Sequence, residues 1–234
     1  MPIGGINILQ FAEIVAKRRS IKRYDPTHAI TDAELKTIFD RVVLSPSSFN
    51  LQHWRFVVIR DKAVKVKLRK AAYDQEQVEN ASATIVVAAK LSAHMDAQRI
   101  YADTPTSVRE AMVPMIGGFY TDNPQMQRDE AIRSASLAAM TLMYAACDLG
   151  YATGPMVGFD PKAVSELIGL DSEHIPVMLV VIGKQVGEVH PRADRLPVAE
   201  RVRAASRGGT SERGPCPRSP GTRVRELHSR KNVA

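Results

Sequence analysis

Apolar residues at 8, 11, 14 and 15 recur at helical spacing and predict a first helix over 8–17. Thr31-Asp32-Ala33-Glu34 has the form of a capping box, in which the Thr hydroxyl takes the Glu amide and the Glu carboxylate reaches back. It predicts a helix from 32 to about 44. The run WRFVVI at 54–59 reads as a buried strand, and 61–73 as a basic amphipathic helix with a solvated face. The β-branched run at 84–89 reads as a second central strand, and 108–120 as a moderate helix. Residues 129–149 form the strongest helical pattern. Their Ala- and Met-rich surface is apolar on several sides, which predicts burial within a subunit or between subunits, with Gly150 as the stop. Residues 150–160 read as a connection, 161–167 as a short helix, and PVMLVVIG at 176–183 as a third central strand. Long helices between short strands predict a layered α+β or α/β domain.

Charge changes this picture only at the end of the chain. The chain of 234 residues carries a net charge of +7. Residues 203–234 hold eight of the basic side chains and two of the acidic ones, so residues 1–202 are close to neutral. The high isoelectric point is therefore no sign of a nucleic-acid-binding face. From about 205 the composition turns to Arg, Pro and Gly without periodicity, which predicts a disordered or loosely attached tail. This divides the chain into a domain over 1–204 and a basic tail over 205–234. No uninterrupted apolar run reaches the roughly 18 residues of a membrane helix, and no secretory pattern opens the chain, so a cytoplasmic location is expected. Cys147 and Cys216 have no metal spacing.

Four segments could carry chemistry. RRSIKRY at 18–24 puts four cations and a hydroxyl at the end of the first helix, where Arg forks suit a phosphate. The bland alternative is a basic helix end favoured by the macrodipole. SPSSFNLQ at 45–52 supplies amides, hydroxyls and carboxamides just before a core strand, which suits either a planar heterocycle or an ordinary polar turn. GYATGPMVGFD at 150–160 can expose backbone amides, but it lacks the spacing of a dinucleotide fingerprint. RADRLP at 192–197 offers further arginines. No hydrolase elbow, zinc helix or Walker loop is present, and the six histidines lack ligand spacing.

Taken in order, RRSIKRY, SPSSFNLQHWRFVVI, GPMVGFD and R-L-P resemble the FMN-dependent nitroreductase family over about 8–202. The resemblance implies a three-layer α+β fold, with helices flanking a central, mostly antiparallel sheet. It implies an intertwined homodimer with FMN at the subunit interface. Arg18, Arg19 and Ser20 would hold the phosphate and ribityl chain, and Lys22 would face the N1/O2 edge of the ring. Gln77 would touch the ring edge. Pro155, Met156, Val157 and Gly158 would line one flavin face, the last two through their amides. Arg195 would reach the phosphate. Arg192 would compensate for Ala193, where relatives often carry a cation. Pro46, Ser47, Ser48 and Asn50 would approach from the second subunit.

The implied activity is ping-pong transfer. Hydride passes from NADH or NADPH to flavin N5 and electrons then pass to a nitroaromatic, quinone or similar small acceptor, with no dedicated acid or base and no nucleic-acid or membrane partner. Relatives continue past R-L-P in a segment that wraps the partner; here the Arg/Pro/Gly tail stands in its place. Three alternatives remain at this level. One is a dehalogenase-type member whose lid spans 94–128, with Tyr101, Arg109, Phe119, Tyr120 and Arg128 as lid candidates against ordinary helix surface. Another is a flavin-binding sensor without turnover, and the last is a nucleic-acid binder acting through the tail.

Overall fold

The structure, a computed structural model, describes residues 10–189 and 191–202. The tail after 205 and the start of the helix expected at 8 fall outside the described residues. The chain divides into two compact units, residues 1–192 and 193–234. In the first, α1 (Phe11–Lys17) and α2 (Asp32–Val42) precede β1 (Trp54–Ile59). Then come α3 (Lys62–Ala71), α4 (Glu76–Asn80) and β2 (Ala83–Lys90). An excursion follows, holding α5 (Ala97–Ile100) and α6 (Thr106–Tyr120). The long α7 (Pro124–Asp148) leads to β3 (Ala152–Met156), α8 (Pro161–Ile168) and β4 (His174–Gly183). The described part of the second unit holds α9 (Val198–Arg201).

The strands form one antiparallel sheet in the order β1-β2-β4-β3. Side chains alternate between its faces, as a period of two requires. Ile85, Val87, Val180 and Ile182 join a core with α2 and α7, whereas Val86, Leu179 and Val181 join one with α3 and α8. The result is three layers, helix on sheet on helix. Alanines 131, 135, 138, 139 and 146 are all fully buried, so α7 approaches the sheet closely.

Two expectations about strands need correction. β1 is an edge strand, buried at Trp54 and Ile59 and half-exposed between them, rather than a central one. Residues 150–160 are not simply a connection, because 152–156 pair with β4. The basic helix α3 keeps its expected solvated face at Lys62, Lys67 and Lys70 and buries Leu68 on the other, where buried Lys65 donates to the Ala81 carbonyl. The capping box at Thr31 and Glu34 forms as expected. α7 starts five residues before the expected 129, with Asn123 capping it and Pro124 in its first turn.

A third, smaller core forms around Leu51, Ala93, Ala97, Ile116 and Tyr120. His53 sits beside it, 1 % exposed, its ring edge-on to Tyr120 at 6.4 Å. Its Nδ1 has no hydrogen-bond partner, and burial pulls the imidazole from its ordinary 6.5 down to about 4. Between these values the unfolded chain binds a proton that the folded chain refuses, so stability falls as pH drops from about 6.5 to 4. The full shift corresponds to roughly 3 kcal/mol. His53→Gln should flatten the dependence of melting temperature on pH in that window. An unchanged slope would remove His53 as its source.

Candidate functional site

The segment after α1 is held in place by the sheet. Arg18 ends the helix with its amide on the Ile14 carbonyl at 2.9 Å. The chain then runs beside β3: Ser20 bridges Thr153 in parallel, and the Ile21 amide donates to the Thr153 carbonyl at 3.0 Å. Ile21 and Tyr24 point into the core, leaving Lys22 and Arg23 exposed. Tyr24 closes the segment, its hydroxyl donating to the Ile21 carbonyl at 3.3 Å. Burial pushes that phenol well above its ordinary pKa. The first and third sequence segments thus lie side by side.

Two glycines permit this approach. A Cβ at Gly154 would stand 2.8 Å from the Ile21 carbonyl oxygen and 3.2 Å from the Tyr24 hydroxyl. At Gly183 it would stand 2.9 Å from the Tyr24 ring. Only glycine leaves room for the 20–24 segment against the sheet.

A cavity of about 120 Å³ opens where these elements meet. Lys17, Arg18, Arg19, Ile21 and Cys147 line it on one side, and Gly150 to Thr153 with Gln185 on the other. Arg18 Nη1 is buried and has no hydrogen-bond partner, and the same holds for Thr153 Oγ1. Unpaired buried donors are rare, and a guanidinium nitrogen left this way calls for an acceptor. Arg192 Nη2 donates to the Ala16 and Arg18 carbonyls, each at 2.9 Å, so the Arg192 guanidinium joins this helix end. Cys147 is buried, and burial raises its thiol pKa. Arg195 belongs to the second unit, where its Nη1 donates to the Ala193 carbonyl at 3.0 Å.

Beyond β3 the chain turns outward. Val157 is 74 % exposed and Gly158 is also open, with Pro155 and Met156 half-buried and Phe159 anchored in the core. Gln75 fixes this turn: its amide donates to the Gly158 carbonyl at 2.7 Å and to the Ala72 carbonyl at 3.1 Å. Gln77 is buried, and its amide donates to Gln75 Oε1 at 3.0 Å. Gln77 therefore braces Gln75. Gln75 was not singled out in the sequence; its long-range bond to residue 158 leaves no local signal.

The second segment lies elsewhere in the same chain. Trp54 pairs with Ala89 at one corner of the sheet, and Thr153 pairs with Ile182, itself paired with Ala83, at the opposite corner. Strand spacing and rise put these corners about 25 Å apart. Ser47, Ser48 and Phe49 are half-buried; Pro46 and Asn50 are exposed. Phe49, Asn50 and Gln52 all have left-handed backbones, with φ of 49°, 54° and 49°. Such non-glycine residues cost about 1–3 kcal/mol each and gather at functional sites. The Gln52 amide donates to Ser47 Oγ at 2.9 Å, and Arg55 Nη1 donates to the Gln52 carbonyl at 3.1 Å. Of the expected lid candidates, Tyr120 is 1 % exposed, so it is neither lid nor helix surface. No cluster of potential metal ligands occurs among the described residues. No helix among them is long and apolar enough to cross a membrane.

Comparison with known proteins follows the same lines. The model of the nitroreductase family matches residues 15–184. Protein DrgA of Synechocystis is 38% identical over 74% of this chain and 83% of its own. MhqN of Bacillus subtilis, whose name proposes an NAD(P)H nitroreductase, is 38% identical over 82% of this chain and 98% of its own. A crystal structure from Exiguobacterium sibiricum, solved in complex with FMN, is 34% identical, with a TM-score of 0.79 over 84% of this chain and 98% of that one. The matched residues, the identities and the shared fold agree: the chain belongs to the nitroreductase family.

Proposed function

We propose that this protein is an FMN-dependent oxidoreductase, acting as a homodimer in the cytoplasm, that is reduced by NADH or NADPH and passes electrons to a nitroaromatic, quinone or similar acceptor. The observation that carries this reading is the unpartnered Arg18 Nη1 in a cavity that Lys17 and Arg19 also line. A phosphate monoester satisfies it with a charge-assisted bond. The relative solved with FMN supports the choice of phosphate-bearing group.

Arg18, Arg19 and Ser20 would bind the phosphate and ribityl chain, with Arg192 adding positive charge. Lys22, exposed on the segment beside β3, would favour negative charge on the ring. The Val157 and Gly158 amides would meet a ring edge, and exposed Val157 with Pro155 and Met156 would cover one ring face. A side chain is not needed for an amide contact, so Val at 157 suits the role. Gln77 would act through Gln75, holding the 156–158 turn. Held by these residues, FMN would supply hydride-accepting and electron-donating chemistry, and the uncovered ring face would admit first the nicotinamide and then the acceptor.

The distance between the two segments supports a homodimer. Ser47, Ser48 and Asn50, with Pro46, would meet the flavin of the other copy, because their own cradle lies at the far corner of the sheet. Exposed apolar side chains suit such an interface: Phe11 is 69 %, Leu44 81 % and Leu137 46 % exposed.

Stripped of cofactor and titrated with FMN, the protein should quench flavin fluorescence and saturate at one FMN per chain. Failure to bind FMN or riboflavin would overturn the reading. Lys22→Ala should slow reduction by NAD(P)H roughly tenfold or more while FMN affinity changes less. Equal losses in both would assign Lys22 to binding alone.

A further inference from the structure

The strained loop at 47–52 is not held by its internal bonds alone, such as Gln52 N–H to Ser47 Oγ. With Phe49, Asn50 and Gln52 left-handed and none of them glycine, neighbouring structure must fix the conformation. That structure is the helical excursion between β2 and α7. Tyr101 Oη donates to the Phe49 carbonyl at 3.2 Å, and Tyr120 Oη is hydrogen-bonded to Ser48 Oγ at 2.8 Å. The Tyr120 ring is locked on several sides. His94 stacks on it at 5.8 Å, and Phe49 and Phe119 meet it edge-on at 6.2 and 5.0 Å. A ring so confined gives its hydroxyl one place to point.

Tyr120 and Ser48 share a hydroxyl–hydroxyl bond of 2.8 Å in which either oxygen can donate. With the phenol locked, that bond fixes where Ser48 Oγ lies. Tyr120 thus sets the place of a hydroxyl that the half-buried loop presents.

We infer that Tyr120 is a positioning residue for the cofactor site: its buried phenol holds the Ser48 hydroxyl in place for the flavin bound chiefly by the second copy of the chain. Tyr120 touches no reacting atom; it acts through Ser48. The inference rests on the reading above, in which residues 46–50 contact FMN. It gives the excursion at 93–120 a task distinct from closing over substrate, since its innermost residue braces the cofactor loop from behind.

The test is a double-mutant cycle on the Kd for FMN, with full-length protein and fluorescence quenching. Tyr120→Phe removes one oxygen and keeps the packing. Ser48→Ala removes the presented hydroxyl. Each should raise the Kd about three- to tenfold, the range of one hydrogen bond. The double variant should be no weaker than Ser48→Ala alone, because the phenol has no effect once its target is gone. Tyr101→Phe, which removes a loop bond without touching Ser48, is the control, and its effect should multiply with that of Ser48→Ala. Far-UV circular dichroism and melting curves confirm that each variant is folded; if Tyr120→Phe is not, Tyr120→Leu, which lacks the hydroxyl and is no larger than the ring it replaces, takes its place in the cycle. A silent Tyr120→Phe, or multiplied effects of Tyr120→Phe and Ser48→Ala, would overturn the inference and leave the flavin reading standing. Absence of FMN binding by the unmodified protein would overturn both.

Discussion

Arg18→Ala should weaken FMN binding about 10- to 100-fold, the scale of a charge-assisted hydrogen bond to phosphate. The same change should leave the melting temperature of the cofactor-free protein unchanged or slightly higher. The two effects differ in sign because Arg18 Nη1 is buried without a partner when nothing is bound. Removing an unpaired buried donor relieves a desolvation cost, whereas removing it in the presence of phosphate leaves a dianion short of its fork. Arg18→Lys should fall between, keeping the charge but losing the planar geometry. Isothermal titration with FMN and a melting curve of the apoprotein check both halves. Parallel losses of stability and affinity would make Arg18 a structural residue and remove the observation on which the function rests.

Gly154→Ala should damage the site from underneath. The new methyl would stand 2.8 Å from the Ile21 carbonyl oxygen and 3.0 Å from Val181 Cγ2, both inside van der Waals contact. The Ile21 carbonyl belongs to backbone pinned to β3, so it cannot move like the tip of a flexible side chain. Overpacking of this kind costs about 1–3 kcal/mol, which in a chain this size lowers the melting temperature by roughly 3–10 °C. FMN affinity should fall with it, because the segment that shifts carries Arg18 to Lys22. Gly158→Ala is the contrast: its Cβ would meet only Gln75 Nε2 at 3.5 Å, an ordinary contact, and stability should hardly change. If Gly154→Ala melts and binds like the unmodified chain, the close approach of the 20–24 segment to β3 is not what fixes the cradle.

How far the sequence discloses this arrangement depends on how local each feature is. The capping box at Thr31 and Glu34 is complete within four residues and forms as written. β2 and β4 are continuous apolar runs because both faces of their strands are covered, and such runs are legible without any partner. β3 is not legible in this way. It is five residues long and contains Gly154 and Pro155, both of which argue against a strand. It is nonetheless a strand because it sits at the sheet edge, where Pro is tolerated, and because Gly154 must be bare to admit the 20–24 segment.

The side chains of the site divide on the same principle. RRSIKRY stands out as a dense basic run, and Arg18 does line a cavity. Gln75 carries no local signal and Tyr120 reads only as a lid candidate, since each takes its role from a partner far away in the chain, Gly158 in one case and Ser48 in the other. The positive φ at Phe49 and Gln52 has no sequence signature at all, because neither residue favours that region. The family resemblance supplied the grouping of segments, which no single segment carries alone.

The most direct measurement is anaerobic mixing of the FMN-loaded protein with NADH or NADPH while the visible flavin absorbance is followed. The account predicts rapid bleaching by at least one of the two, and return of the colour when a nitroaromatic or a quinone is added. A protein that binds FMN but keeps its colour with both nucleotides would contradict it and leave a flavin-binding protein without turnover.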